Sequence, residues 1–140
     1  MAFRRYLLAI LAGNLVWEMA HLPLYTIWRD GTWRDLTVAV INCSAGDVVI
    51  ATTALVLALL VLRAEAWPSD KFFTVAVTAL AIGIAYTTYS ERMNVFARRT
   101  WAYADSMPVV PWLDVGLSPL LQWLIVPGMA FACVRRALKV

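Results

Sequence analysis

The chain has 140 residues, of which 62% are hydrophobic and only 15% charged, and its mean hydropathy is positive. Soluble domains are about one-quarter charged, so this composition excludes an ordinary soluble domain and points to an integral membrane protein. The net charge of +3 comes from 12 Lys and Arg against 9 Asp and Glu; no basic run or basic-aromatic interleaving accompanies it, which argues against nucleic acid as a partner.

Four apolar runs reach the ~20 residues of helix that cross a bilayer: 5–25, 42–62, 72–90 and 115–134. Helices alone satisfy the backbone of such continuous runs in hydrocarbon. The expected fold is therefore all-α, a four-transmembrane-helix bundle with short connections, forming a single domain over residues 1–140.

The N-terminal MAFRRYLLAILAG has the charged start and apolar run of a signal peptide. No small-x-small cleavage site follows it and a polar stripe continues directly, so it reads as a retained first span. That stripe is Asn14, Glu18, His21 and Tyr25, spaced i, i+4, i+7 and i+11 on one helix face. Glu18 lies ~20 Å along the axis from Arg5, in the outer third of the membrane. Pro23 is expected to kink or end this span.

After the connection WRDGTWRD, the second run carries Asn42, Cys43, Ser44 and Asp47 in its expected first two turns. The third ends in YTTYSERMN, where Thr87, Glu91, Asn94 and Arg98 repeat the i, i+4, i+7, i+11 spacing. MPVVPW, from Met107 to Trp112, reads as a rigid extended cover over the outer end. The fourth run opens with Asp114, Ser118 and Gln122 in four-residue steps. Every span thus brings polar groups to one end of the bundle, while the opposite halves are aliphatic.

Seven basic residues (Arg4, Arg5, Arg63, Lys71, Arg135, Arg136, Lys139) flank one side and five (Arg29, Arg34, Arg92, Arg98, Arg99) the other, which places both termini in the cytoplasm. Arg135, Arg136 and Lys139 serve as the ordinary cytoplasmic anchor. Six of seven Trp fall toward the outer side, Trp67 being the exception; this asymmetry leads us to expect outer connections folded back over the bundle. Cys43 and Cys133 fall at opposite ends, so no disulfide is expected between them. No internal repeat is present.

Ionisable groups within a span cost from a few to more than ten kcal/mol and ordinarily face the bundle interior. An outward-facing polar pocket is therefore expected to bind a small amphiphilic or isoprenoid-like molecule and to transform it by acid–base chemistry. Glu18 would be the leading acid with Asp47, Glu91 and His21 as catalytic partners; Asn14, Tyr86, Asn94, Arg98, Trp101, Tyr103 and Gln122 would bind substrate, with Tyr89 also lining the pocket. The alternative is a metal-binding or structural subunit of a larger membrane complex. Glu18, His21, Asp47 and Glu91 would then hold a divalent iron, manganese or zinc ion, or Glu18 would pair with Arg98 or Arg99 as glue between helices. Membrane lipid, an amphiphile, a second copy or a larger complex are the expected partners. A through-channel is disfavoured because no polar stripe continues into the aliphatic halves.

WEMAH, SAGD, SERMN, RRTWAYADSMPVVP and GLSPLLQW resemble segments of a group of uncharacterised small bacterial four-helix membrane proteins. That resemblance implies a bacterial inner-membrane location and brings no activity with it. GNLVWE, Gly13 to Glu18, is similar to the opening helix of the integral-membrane terpene cyclases, whose acid at that position helps protonate an isoprenoid. The similarity implies that role for Glu18.

Overall fold

The computed structural model describes residues 1–138, so Lys139, expected in the C-terminal anchor, lies outside the described residues. In chain order the elements are α1 (Ala2–His21), a 3-10 turn (Leu22–Leu24), α2 (Ile27–Asp30), α3 (Trp33–Val61) and α4 (Phe72–Arg92). A π-helical turn (Met93–Ala97), β1 (Val109–Val110), β2 (Val115–Gly116) and α5 (Leu117–Arg136) complete the chain. The chain is 74% helical, and among the described residues four helical stretches are long and apolar enough to cross a membrane: Ala2–Leu24, Trp33–Val61, Phe72–Ala97 and Leu117–Arg136.

Local sequence explains each boundary. α1 stops at His21, and Pro23 sits in the turn that follows, as expected of a residue that cannot continue a helix. α3 begins nine residues before the expected second run. Thr32 caps it: the Thr32 hydroxyl accepts from Asp35 N at 3.3 Å, and the Asp35 carboxylate accepts from Thr32 N at 2.9 Å. This reciprocal pair satisfies two of the amides that a helix start leaves bare. Asn42 to Asp47 consequently sit in mid-helix rather than in the first two turns. α4 starts at Phe72 as expected, then widens at Met93, where Arg98 N donates to Met93 O.

The helices form a four-cornered bundle in which α1 packs on α3 and α5, and α4 packs on the same two. One end is filled by Tyr6, Ile10, Leu55, Val75, Val126 and Phe131. Gly83 of α4 lets Trp123 of α5 lie directly against the backbone: a Cβ built there would collide with the indole ring. Gly83→Ala is therefore expected to push Trp123 out of place and cost about 1–3 kcal/mol, measurable as a lower unfolding temperature in detergent.

The connections at the other end hold the small departures from an all-α fold. β1 and β2 pair antiparallel, Val109 with Gly116 and Val110 with Val115. Tyr25 forms a bridge with Tyr103: Thr26 N donates to Ala102 O at 3.0 Å and Ala104 N to Leu24 O at 2.9 Å. The first and third connections are thus sewn to each other across the bundle end. Within the expected MPVVPW cover, Met107 is buried whereas Trp112 is 84% exposed. The tryptophans do not fold inward together, because Trp28, Trp33 and Trp112 are exposed and Trp123 belongs to the core. Cys43 and Cys133 are both free thiols.

Candidate functional site

The inward stripe of α1 changes character along its length. Tyr6 and Ile10 are followed at four-residue steps by Asn14 and Glu18, and then by His21, all buried. α4 repeats the change, from Val75 and Ala79 to Thr87 and Glu91, and α5 carries Ser118 and Gln122 buried in its first turns. Because the helices are packed antiparallel in sequence order, these polar stretches meet at one level.

Gln122 is the centre of the meeting point. Its Nε2 donates to Asn14 Oδ1 at 3.0 Å, Glu18 Oε1 at 3.0 Å and Asp47 Oδ2 at 2.8 Å, joining α5 to α1 and α3. An amide nitrogen carries two hydrogens, so three acceptors share them. The other Glu18 oxygen, Oε2, lies 3.1 Å from His21 Nε2, and His21 Nδ1 lies 3.0 Å from Ser118 Oγ. With the proton on Nε2, the imidazole donates to Glu18 and accepts from the Ser118 hydroxyl, which is the tautomer these partners assign. A continuous chain results: Ser118, His21, Glu18, Gln122 and Asp47.

Glu91 stands apart from that chain, on α4. Its Oε2 accepts from Tyr103 OH at 2.5 Å, and the same phenol oxygen accepts from Gly116 N at 3.0 Å. Tyr103 lies in the third connection. Burial, together with the Glu91 carboxylate beside it, pushes its phenol well above the ordinary range, so it stays protonated and keeps donating.

These groups surround a cavity of about 600 Å3, within the size range of small-molecule sites. Glu18, His21, Asp47, Glu91 and Gln122 line it, with Tyr25, Tyr86, Trp101 and Trp123 supplying aromatic walls. Its mouth is marked by lining residues that are also exposed, Val49 on α3 and Tyr86 on α4. Among the described residues two lining polar atoms are buried without a partner, Thr87 Oγ1 and Trp101 Nε1.

Of the residues singled out in the sequence, Asn14 and Tyr103 stand behind the wall as partners of Gln122 and Glu91. Asn94 and Arg98 do not line the cavity. Asn94 Nδ2 donates to Ser90 O at 2.9 Å and its Oδ1 accepts from Thr100 Oγ1 at 3.0 Å, while Arg98 is exposed. The π-helical turn explains both: past Arg92 the chain no longer keeps the 3.6-residue period on which the stripe was projected. Tyr89 is also exposed and outside the lining. Among the described residues Glu18 has His21 as its ionic partner, not Arg98 or Arg99; Arg92 instead donates to Leu113 O at 2.8 Å.

The metal reading named Glu18, His21, Asp47 and Glu91. Among the described residues, no three His, Cys, Asp or Glu side chains gather closely enough to hold a metal ion. The groups that sequence reasoning left out of the site are Ser118, Tyr25, Cys43 and Thr87. Three of these already stood on the polar stripes as neighbours of chosen residues, and Cys43 lay beside Ser44. Compared with known proteins, the chain matches no family model, no curated protein and no solved structure.

Proposed function

We propose that the protein is an integral inner-membrane protein of a bacterium that binds a small amphiphilic, isoprenoid-like molecule in this cavity and transforms it by transferring a proton to it. The observation that carries this reading is the hydrogen-bonded chain from Ser118 through His21 to Glu18 set in the wall of a largely apolar chamber. Both termini lie in the cytoplasm, in keeping with the seven-to-five distribution of basic side chains. The cavity then opens toward the outer leaflet, and an amphiphile slides in laterally between Val49 and Tyr86.

In this reading Glu18 exchanges the proton with the bound molecule. His21 Nε2 is the adjacent donor that restores it, and Nδ1 draws a replacement through the Ser118 hydroxyl. Asp47, held by Gln122, faces the same space as a second carboxyl, and Glu91 supplies a third on the opposite helix.

The test compares wild type with Glu18→Gln, which keeps shape and the oxygen facing Gln122. Farnesol serves as the probe in phosphatidylcholine nanodiscs, with thermal unfolding as the control for folding. Saturable farnesol binding by both proteins, with deuterium incorporation from heavy water at olefinic carbon of the bound farnesol lost in Glu18→Gln, is the expected result. Collapse of the fold in Glu18→Gln, with no saturable binding in wild type, would instead make the polar chain structural glue between helices.

A further inference from the structure

We propose that the polar head of the amphiphile is a cation, a protonated amine. This inference rests on the cavity being a ligand site, as proposed above. It starts from a charge asymmetry. The chain holds 12 Lys and Arg and is net positive, yet among the described residues no Lys or Arg lines the cavity, whereas three carboxyl side chains do: Glu18, Asp47 and Glu91.

An anionic head would enter a water-poor chamber against those carboxyls without a counter-charge, the arrangement that costs most on burial. A cationic head meets the reverse. Glu18 and Asp47 flank it from α1 and α3, and Glu91 faces it from α4. Tyr25, Tyr86 and Trp101 line the remaining space, offering π faces that attract an ammonium group.

Thr87 supplies a second, independent observation. Thr37, Thr52 and Thr88 each donate to the carbonyl four residues earlier, at 2.8, 2.6 and 2.8 Å. Among the described residues Thr87, only 7% exposed and on the cavity wall, leaves its hydroxyl without a partner. Buried hydroxyls are ordinarily satisfied, so this oxygen is an acceptor held for a group that arrives with the ligand. It lies one helical turn from Glu91, so an N–H donor of an amine head would reach both. The aromatic and aliphatic remainder of the chamber takes the apolar tail.

The experiment uses three probes with one tail, dodecylammonium, dodecanol and dodecyl phosphate, titrated onto the protein in zwitterionic nanodiscs with protein-free discs subtracted. The ammonium is expected to bind saturably and about 10-fold or more tighter than the alcohol, with no saturable phosphate binding. In Asp47→Asn/Glu91→Gln that preference should vanish. Equal affinity for alcohol and ammonium, or a preference for phosphate, would overturn the cationic head and leave the cavity reading standing. Absence of saturable binding for all three would remove the cavity reading itself, and this proposal with it. Should the double variant fail to fold, the ranking of the three probes on wild type still decides.

Discussion

Gln122→Met is expected to destabilise the protein by about 3–5 kcal/mol, the range for stranding buried charged partners, seen as a lower midpoint in detergent unfolding. Methionine nearly matches glutamine in shape, so packing is conserved and the loss reports hydrogen bonding. Three oxygens, buried on Asn14 and Glu18 and half-buried on Asp47, lose the donor they share. An acceptor stranded away from water costs more than the bond it made, because its desolvation is no longer offset. Combining Gln122→Met with Glu18→Gln supplies a new amide beside Asp47 and Asn14. The double variant should therefore recover part of the loss, and the non-additivity measures the coupling between α1 and α5. Additive effects would mean that the network is held by packing alone.

Gly46→Phe is expected to leave the fold intact and to weaken farnesol binding by on the order of 100-fold, equivalent to the few kcal/mol of apolar contact that a ligand denied the chamber forfeits. Gly46 lies in mid-α3 and lines the cavity near its mouth, and a Cβ built there meets nothing within 4 Å. The new ring therefore finds room in the space the ligand would use, and helix propensity gains about 0.5 kcal/mol from removal of glycine. Unchanged binding with unchanged stability would place the ligand elsewhere.

Much of the bundle was legible from hydropathy alone, because a backbone without water has few ways to satisfy itself. The start of α3 was missed for a specific reason. WRDGTWRD reads as a polar connection, and its charge obscured Thr32 and Asp35, whose three-residue spacing is a helix start signal in its own right. Of the six side chains expected to build the pocket (Glu18, His21, Asp47, Glu91, Asn94 and Gln122), all but Asn94 line the cavity, as the stripes and the direction of each helix implied. What the stripes could not reveal was partnership. Ser118 was visible as a polar step, but nothing local links it to a histidine 97 residues away. Tyr103 likewise reaches Glu91 only because the third connection is sewn to the first through Tyr25. Asn94 and Arg98 were projected onto the wall by assuming one period throughout, and the wider turn from Met93 to Ala97 rotates them off it.

The partnership across the chain also sets an order in time. Glu18 and Gln122 are separated by 104 residues, and His21 and Ser118 by 97. At ribosomal speeds of about 5–20 residues per second, roughly 5–20 s pass between the synthesis of the acid and the synthesis of the amide that holds it. During that interval the first helix carries a carboxyl whose only partner is its own neighbour three residues on. The site is therefore completed only once α5 has begun, and the first helix waits for that helix before its buried end is settled.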